Sequence, residues 1–297
     1  MTSRIRVGFV CSRVRVEEKL LLAAFDMCSE VDVVRIDDDL IHLPLTATGT
    51  ADGAAATLRA CDVVLLRSVS HTRQLTIARL LDSWGVPAVN PAAVVDICGD
   101  KLRTTLALAA AGVATPPARV AFTVEAALAA VEELGYPCVV KPTVGSWGRL
   151  VARLNDRDAA EAVLEHKMEL GGLSHRVAYL QAHVEKPGRD LRAFVLGGRT
   201  VAAIGRRSAH WITNTARGAK AEFVAVTPDL GDLCSRAAAA VGGGALAIDL
   251  LEGPEGLLVN EVNATMEFRN SVGPTGVDIP GLLVRHTLDV ARSRRCG

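Results

Sequence analysis

The chain has 297 residues, of which 49% are hydrophobic and 22% charged, and its 33 Lys and Arg balance 33 Asp and Glu. At about 100 to 200 residues per domain, this length predicts two or three globular domains and excludes a small disulfide-stapled module. Zero net charge argues against a protein that coats nucleic acid. The seven scattered cysteines lack CxxC spacing, and neither a signal peptide nor a run of about 18 apolar residues is found, so we expect a cytoplasmic protein with reduced thiols and no membrane span.

The first ninety residues alternate between β-branched runs and helical stretches. Strands are predicted at 5–11, 31–36, 63–66 and 86–90, helices at about 17–28 and 75–84, and a loop at 46–55. This alternation predicts a parallel sheet with crossover helices in an N-terminal domain, residues 1–90. Residues 67–70 follow the third strand, at the edge where α/β sheets bind ligands, so they are either substrate contacts or a solvated loop.

A smaller repeat of helices and strands is predicted to form a central subdomain, residues 91–183. Asp100 and Lys101 open a helix that ends at Gly112. A lysine in a first helical turn is unfavourable next to the helix dipole, so Lys101 either meets an anionic ligand or is solvated. The elements that follow are a strand at 119–122, a helix from Thr123 to Gly135, a strand ending at Lys141, a strand at 150–154 and a helix capped by Asn155.

A glycine loop follows the strand that ends at Lys141. Gly145 and Gly148 allow main-chain N–H groups to approach an anion closely, and Lys141 adds a positive charge. One interpretation is a phosphate-binding loop, and the other is an ordinary β-hairpin turn. The GxxxxGK[ST] and GxGxxG fingerprints are absent from this loop, so neither known nucleotide motif applies.

The remaining residues, 184–297, are predicted to form antiparallel strands with one helix at 229–241. Gly197 and Gly198 make a two-residue hairpin, and the last hairpin pairs residues 245–251 with 257–262. Glu261 and Asn263 share a face of it, and a turn near Glu255 places Asp249 opposite Glu261. Opposed carboxylates among apolar residues repel each other, which predicts a divalent cation such as Mg²⁺. The alternative is that Asp249 points away and Glu261 pairs with an arginine, and a one-residue register slip would also remove the site.

Together these segments resemble the ATP-grasp superfamily. The most informative are GSWGRL at 145–150, KPGRDLR at 186–192, HWITNTARG at 210–218 and NEVNATMEFRNS at 260–271. They are most similar to the branch of RimK and LysX ligases, and within it to the LysX group. The resemblance implies an α/β (α+β) fold of the ATP-grasp type, with an N-terminal open parallel α/β domain, a small central lid subdomain and a C-terminal antiparallel-sheet subdomain.

The resemblance also implies ATP and Mg²⁺ as cofactors and assigns residues to them. The implied ATP contacts are Lys101, Lys141, Gly145, Ser146, Trp147, Gly148, Gln181, Ala182, His183, Val184, Asp190, Arg206 and Asn214. Asp249, Glu261 and Asn263 would hold Mg²⁺, and Lys141, Arg206 and Asn214 would act in catalysis. The implied substrate contacts are Arg192, Arg217, Arg269, Asn270 and Ser271, and the alternative for each of the three arginines is a structural ion pair. The family's Gln-Glu-aromatic hinge reads Gln181-Ala182-His183 here, so His183 replaces the aromatic residue.

The activity implied by the resemblance is a carboxylate–amine ligase that forms an amide through an acyl phosphate. Its LysX group joins 2-aminoadipate to the C-terminal glutamate of a small acidic carrier protein, LysW, in lysine biosynthesis. Both partners are acidic, which agrees with the arginines named above. A glutamate ligase of RimK or ArgX type acting on a protein tail or carrier is one alternative, and a non-catalytic nucleotide-binding regulatory module is another. The resemblance further implies a homodimer or homotetramer.

Overall fold

The computed structural model describes residues 4–45, 53–145, 148–172, 176–213 and 218–296. The N-terminal part is a parallel sheet of four strands in the order β2-β1-β3-β4, as the alternation predicts. Its elements are β1 (Ile5–Val10), α1 (Val16–Asp26), β2 (Val31–Ile36), α2 (Gly53–Arg59), β3 (Val63–Leu66), α3 (His71–Ser83) and β4 (Ala88–Val89). Helix α2 begins inside the segment predicted to be a loop.

The central part is an antiparallel sheet covered on one face by two helices. The sheet order is β5-β8-β6-β7. The elements, with the two helices that lead into them, are α4 (Ala92–Cys98), α5 (Lys101–Ala110), β5 (Ala118–Ala121), α6 (Val124–Leu134), β6 (Cys138–Lys141), β7 (Ala152–Leu154), α7 (Arg157–Leu170) and β8 (Ala178–Ala182). Leu128, Leu164 and Leu180 belong to the core between helices and sheet. Strand β6 of this sheet ends at Lys141, one of the predicted site residues.

Helix α7 is capped one residue later than predicted. The Asp156 side chain accepts a hydrogen bond from the N–H of Ala159 at 2.8 Å, whereas Asn155 is exposed. An N-cap oxygen reaches the N–H two or three residues ahead, and the helix begins at Arg157, so Asp156 has the required spacing. The predicted cap at Asn155 is therefore wrong, while the predicted cap of α6 at Thr123 is confirmed.

The C-terminal part is a larger antiparallel sheet in the order β11-β10-β9-β12-β13. Its elements are β9 (Arg189–Leu196), β10 (Arg199–Arg207), β11 (Lys220–Val224), α8 (Pro228–Ala240), β12 (Ala245–Gly253), β13 (Gly256–Asn263), α9 (Val272–Thr275) and α10 (Ile279–Cys296). The hairpin at Gly197 and Gly198 is confirmed, and both glycines adopt the positive φ that such a turn requires, +55° and +80°.

The two faces of this sheet differ in character. One face packs Leu191, Val195 and Ile248 against helix α8. The other face packs Phe194 and Ala247 against the N-terminal sheet and α10. Side chains alternate along a strand, so further along β9 and β12 the second face carries charged groups. One end of this face is therefore an apolar packing surface, and the other end of the same strands carries charged side chains.

A β-bulge lies in the last hairpin. Asp249 faces Glu261 as predicted, but the next pair is Leu250 with Val259, so Asn260 is an extra residue in β13. The bulge explains why Val259 and Val262, three positions apart, are both in the core. With the turn where the structure has it, Asp249 would face Asn260 in an unbroken hairpin.

Two buried side chains connect the N-terminal sheet to the rest of the chain. Arg67 donates from Nε to Glu18 at 3.0 Å and from NH1 to the Met266 carbonyl at 2.9 Å, so it is not part of a solvated loop. Asn90 donates to the carbonyls of Ala245 at 2.8 Å and Ala264 at 2.7 Å and accepts from the Ala245 N–H at 2.7 Å.

The division of the chain into domains at 1–90, 91–183 and 184–297 stays a prediction.

Two findings bear on the expected setting of the protein. In the described part of the chain, no helix is both long and apolar enough to cross a membrane. The six cysteines whose side chains are described, at positions 11, 28, 61, 98, 138 and 234, are free thiols.

Replacing Asn90 by alanine should destabilise the fold. The substitution removes three hydrogen bonds from a side chain that is 1% exposed, and the main-chain groups of Ala245 and Ala264 lose these partners. An unsatisfied buried polar group costs about 1 to 3 kcal/mol, so we expect the free energy of unfolding to fall by about 3 kcal/mol in urea denaturation. The control Asn155→Ala, on an exposed residue outside the cap, should change it by less than about 0.5 kcal/mol. Equal small changes in both variants would contradict this role for Asn90.

Candidate active site

The three parts of the fold surround a cavity of about 330 Å³. Every predicted ATP and metal residue within the described ranges lines it: Lys101, Lys141, Gly145, Gly148, Gln181, Ala182, His183, Val184, Asp190, Arg206, Asp249, Glu261 and Asn263. Four predicted site residues, Ser146, Trp147, Asn214 and Arg217, lie outside the described residues. The sequence motifs thus converge in space, and the individual roles of these residues stay predictions.

Lysine side chains enter the cavity from three different segments. Lys101, in the first turn of α5, donates to the Gly145 carbonyl at 2.8 Å and lies 3.3 Å from Glu261. Its side chain is 15% exposed, so the alternative of a solvated lysine is wrong. Lys141 donates to Gln181 and, at 3.0 Å, to Asn260. Lys186 donates to the Thr213 hydroxyl at 2.7 Å.

Burial makes two of these side chains, Lys141 and Lys186, hard to keep charged. It lowers the pKa of Lys141 to about 8, with Glu261 opposing the shift and the charges of Lys101 and Lys186 adding to it. Burial also lowers the pKa of Lys186. A buried cation surrounded by other cations is stabilised by an anion that enters among them. The cavity therefore favours a polyanionic ligand.

Asp249 is held between two arginines on the charged face of the C-terminal sheet. Arg192, its direct cross-strand neighbour, makes two hydrogen bonds to the carboxylate at 2.7 and 2.9 Å. Arg206 approaches the same group at 3.2 Å. Burial acts to raise the pKa of Asp249, but the two guanidinium groups outweigh burial and hold it below its usual range. Of the two alternatives for Arg192, the structure shows the ion pair with Asp249, and the predicted substrate contact stays a prediction.

Asp190 positions Arg206 in the cavity. One carboxylate oxygen of Asp190 accepts from Arg206 Nε at 2.6 Å, and the other accepts a short hydrogen bond from Thr213. Since both oxygens are engaged, the structure gives Asp190 a supporting contact where the sequence predicts a ribose or nucleotide contact. That predicted role is not tested by this geometry and stays a prediction.

Asp249, Glu261 and Asn263 fit a magnesium ion by their donor chemistry. All three line the cavity from one hairpin, with Asp249 opposite Glu261. Two carboxylates and an amide oxygen are the hard ligands that Mg²⁺ prefers. Within the described ranges, no three His, Cys, Asp or Glu side chains form a metal cluster, and at this site the third donor would be the Asn263 amide oxygen. When bound, the ion would add positive charge beside phosphoryl oxygens.

A second cavity, of about 300 Å³, adjoins the first. Arg15, Val69, Arg192, Arg206 and Glu267 line both cavities, so the two lie next to each other. Five arginines line the second cavity: Arg13, Arg15, Arg192, Arg206 and Arg269. The predicted substrate residues Asn270 and Ser271 line it too. We call it the arginine cavity, and its chemistry suits a small molecule with more than one carboxylate.

Several cavity residues are missed by the sequence predictions. Asn260 enters through the bulge, and Lys186 lies in a segment that carries the family resemblance but has no predicted role. Gln74 lies in α3, and Ser68 follows β3 in the 67–70 segment, for which substrate contact is one of the two predicted alternatives. The Ser68 hydroxyl and the Gln74 amide nitrogen are buried with no hydrogen-bond partner among the described residues. Their only sequence signal is that they follow a strand at the ligand-binding edge of a parallel sheet.

A small lid sheet and a larger antiparallel sheet that enclose a lysine-lined cavity, behind a parallel α/β domain, define the class of ATP-grasp ligases. Comparison with known families agrees. Residues 98–287 match the RimK-like ATP-grasp domain, and residues 7–97 match the LysX preATP-grasp domain. The chain belongs to the RimK-like ATP-grasp family and is an ATP-grasp ligase. Ligases of this family generally use ATP and Mg²⁺.

Individual relatives support the assignment. The chain is 38% identical to the alpha-aminoadipate–LysW ligase LysX of Sulfurisphaera tokodaii, over 77% of this chain and 81% of that one. It is 30% identical to the glutamate–LysW ligase ArgX of the same organism, over 95% of this chain and 98% of that one. A crystal structure of a RimK domain ATP-grasp protein from Sphaerobacter thermophilus superposes with a TM-score of 0.78 at 30% identity, covering 95% and 99% of the two chains. The predicted family and fold class are confirmed.

Replacing Asp249 by asparagine should destabilise the ligand-free protein. The change removes the charge that Arg192 and Arg206 share, and a buried ion pair that loses one partner costs about 3 to 5 kcal/mol. We expect a loss of about 3 kcal/mol in urea denaturation at pH 7. The control Glu261→Gln, on a carboxylate 26% exposed and 3.3 Å from Lys101, should cost less than about 1 kcal/mol.

The cost of Asp249→Asn should depend on pH. Because the folded-state pKa of Asp249 is lowered, its charge contributes fully above the unfolded pKa of about 3.9, and the contribution disappears as the pH falls through the lower folded value. The free energies of unfolding of wild type and variant should therefore converge in acid. A gap that stays constant from neutral to acid pH would show that the ion pair is not its cause.

Proposed function

We propose that this protein joins the amino group of L-2-aminoadipate to the side-chain carboxylate of the C-terminal glutamate of a small acidic LysW-type carrier protein, with ATP as the energy source. The observation that carries the proposal is the pair of adjacent cavities, one lined by lysines and the other by arginines. The relatives named for alpha-aminoadipate and LysW support the choice of substrates. The free cysteines agree with a cytoplasmic setting, and the family resemblance with a homodimer or homotetramer.

In this proposal the lysine-lined cavity binds ATP. Lys101, Lys141 and Lys186 face the phosphates, with the loop from Gly145 to Gly148 beside them. Adenine lies at the hinge, residues 181–184. The N–H groups of Ala182 and His183 donate to main-chain carbonyls at 2.8 and 3.3 Å, so we assign the adenine contact to the next residue, Val184.

His183 forms an aromatic side of the adenine pocket rather than acting as a base. Its ring centroid lies 6.2 Å from that of Trp211. Burial lowers the pKa of His183, and the charges of Arg153 and Lys186 lower it further. A neutral ring at pH 7 is what contact with a nucleobase requires, so the change from the usual aromatic residue at this position is compatible with nucleotide binding.

The proposed chemistry takes place where the two cavities meet. The carrier carboxylate attacks the γ-phosphorus of ATP, which breaks the bond to the β-phosphate oxygen and gives an acyl phosphate and ADP. The neutral amine then attacks the acyl carbon, expels phosphate and loses a proton to form the amide. Negative charge develops on phosphoryl and tetrahedral oxygens, so fixed cations are the expected catalytic groups. Arg206 lines both cavities and is fixed by Asp190, and Lys141 is fixed by Gln181 and Asn260.

Intact mass spectrometry of a LysW-type carrier tests the proposal. Incubation with the protein, ATP, Mg²⁺ and L-2-aminoadipate should add the mass of one 2-aminoadipate residue. The Lys141→Met variant should add no mass to the carrier, since the Lys141 side-chain amine lies at the proposed phosphate site. The control Lys19→Met, on an exposed lysine of α1, should keep it.

Other outcomes of this assay separate the alternatives. A mass gain with glutamate but not with 2-aminoadipate would contradict the proposed substrate and favour an ArgX-like or RimK-like glutamate ligase. The two amino acids differ by one methylene, which is worth about 1 to 3 kcal/mol in a pocket. ATP binding without any gain would favour the nucleotide-binding regulatory module.

ATP affinity should fall at high pH through Lys141. The pKa of Lys141 in the ligand-free protein is lowered to about 8, and bound phosphates would raise it again. ATP therefore binds best below pH 8, and each further pH unit should weaken binding by up to about tenfold, measured by calorimetry. Lys141→Arg, which stays charged, should remove this part of the pH dependence. An identical pH profile in Lys141→Arg would exclude Lys141 as the titrating group.

A further inference from the structure

We propose that Glu17 binds the amino group of the amino-acid substrate in the arginine cavity, and so distinguishes an amino acid from the dicarboxylic acid that lacks the amine. The inference rests on the proposed function in one respect, that this cavity holds the amino acid. It assigns a role to a residue in the first turn of α1, far in sequence from the ATP-grasp motifs.

The charges of the arginine cavity single out Glu17. Among the described residues, five arginines and two glutamates line it. Glu267 already accepts a hydrogen bond from Arg15 at 3.0 Å. Glu17 has a side chain that is 3% exposed, and among the described residues its cationic contact is Arg269 at 4.0 Å. Its Oε2 has no hydrogen-bond partner among the described residues, so this oxygen is available to a ligand.

A buried carboxylate oxygen without a partner is unfavourable until something donates to it. The proposed substrate carries two carboxylates and one amino group. Arginines can pair with the carboxylates, but they repel a protonated amine, which needs an anionic acceptor in the same cavity. Glu17 is the glutamate of this cavity that can accept without giving up a close ion pair.

The start of α1 explains why Glu17 reaches the cavity while its neighbour does not. Glu18 pairs with Arg15 at 3.0 Å and with Arg67 at 2.9 Å, inside the protein. Successive helical residues point about 100° apart, so Glu17 lies on a different side of the helix. A helix N-terminus also favours an acidic side chain. Glu18 thus has a structural role, whereas Glu17 lines the cavity in which the ligand is proposed to bind.

Matched pairs of ligands test the proposal by isothermal titration calorimetry, with Mg²⁺ and a non-hydrolysable ATP analogue present. The pairs are L-2-aminoadipate with adipate and L-glutamate with glutarate. Wild type should bind the preferred amino acid at least about tenfold more tightly than its deamino partner, as expected for a charge-assisted hydrogen bond. Glu17→Gln should bind both members of the pair within about threefold of each other. The control Glu30→Gln, on an exposed glutamate that lines neither cavity, should keep the wild-type preference.

Thermal denaturation without ligand controls for folding. Glu17→Gln should melt no lower than wild type, because it removes a buried charge that has no close partner. If it melts lower, Glu17→Asp keeps the charge on a shorter side chain and should retain a reduced preference for the amino acid.

Two results would overturn the role of Glu17: a wild type without preference for the amine, or a folded Glu17→Gln with the full wild-type preference. The binding assay needs no carrier protein. A failure of carrier ligation therefore leaves this test intact, and ligation that proceeds without an effect of Glu17→Gln on amine preference would remove Glu17 alone.

Discussion

A charged side chain that is buried needs a partner of opposite charge. The candidate site is arranged around one such ion-pair group, in which Asp249 pairs with Arg192 and Arg206. The pairing follows from strand order. Strands β10, β9 and β12 are adjacent, and their register sets Arg206 opposite Asp190 and Arg192 opposite Asp249. Opposite charges therefore alternate across the sheet face, which is the favourable cross-strand arrangement. Both arginines reach the region that the two cavities share.

This arrangement lets ligands enter by exchanging partners. In the proposed complex, the cations that now hold Asp249 and Glu261 turn to phosphate and carboxylate groups, while the two carboxylates turn to the metal. Asp249, Arg192 and Arg206 each keep a counter-charge, so the cost of desolvating these three groups is already offset before a ligand binds. The lowered pKa of Lys141 shows where the present pairing is least complete, and that point lies beside the glycine loop.

The sequence predicts the alternating elements of the N-terminal sheet, because strand periodicity is a local property, whereas most residues assigned to the ATP cavity follow from the resemblance to ATP-grasp ligases. The sequence correctly predicts that Asp249 faces Glu261, but only because two differences between the predicted and the observed hairpin cancel. The turn pairs Gly253 with Gly256, half a residue before the predicted centre, and the bulge at Asn260 restores the register. The cap at Asp156 was missed by one residue because Asn and Asp cap equally well. Glu17 could not be found, since its environment is built by residues near the other end of the chain.

The bulge at Asn260 has a consequence for how such chains are compared. It adds one residue to β13 without moving the core valines on either side of it from their face, so the hairpin can differ in length by one residue at this point and still oppose the same two carboxylates. An alignment that forbids gaps inside strands would then match Glu261 to the wrong residue of a hairpin without the bulge, although both carboxylates occupy the same place.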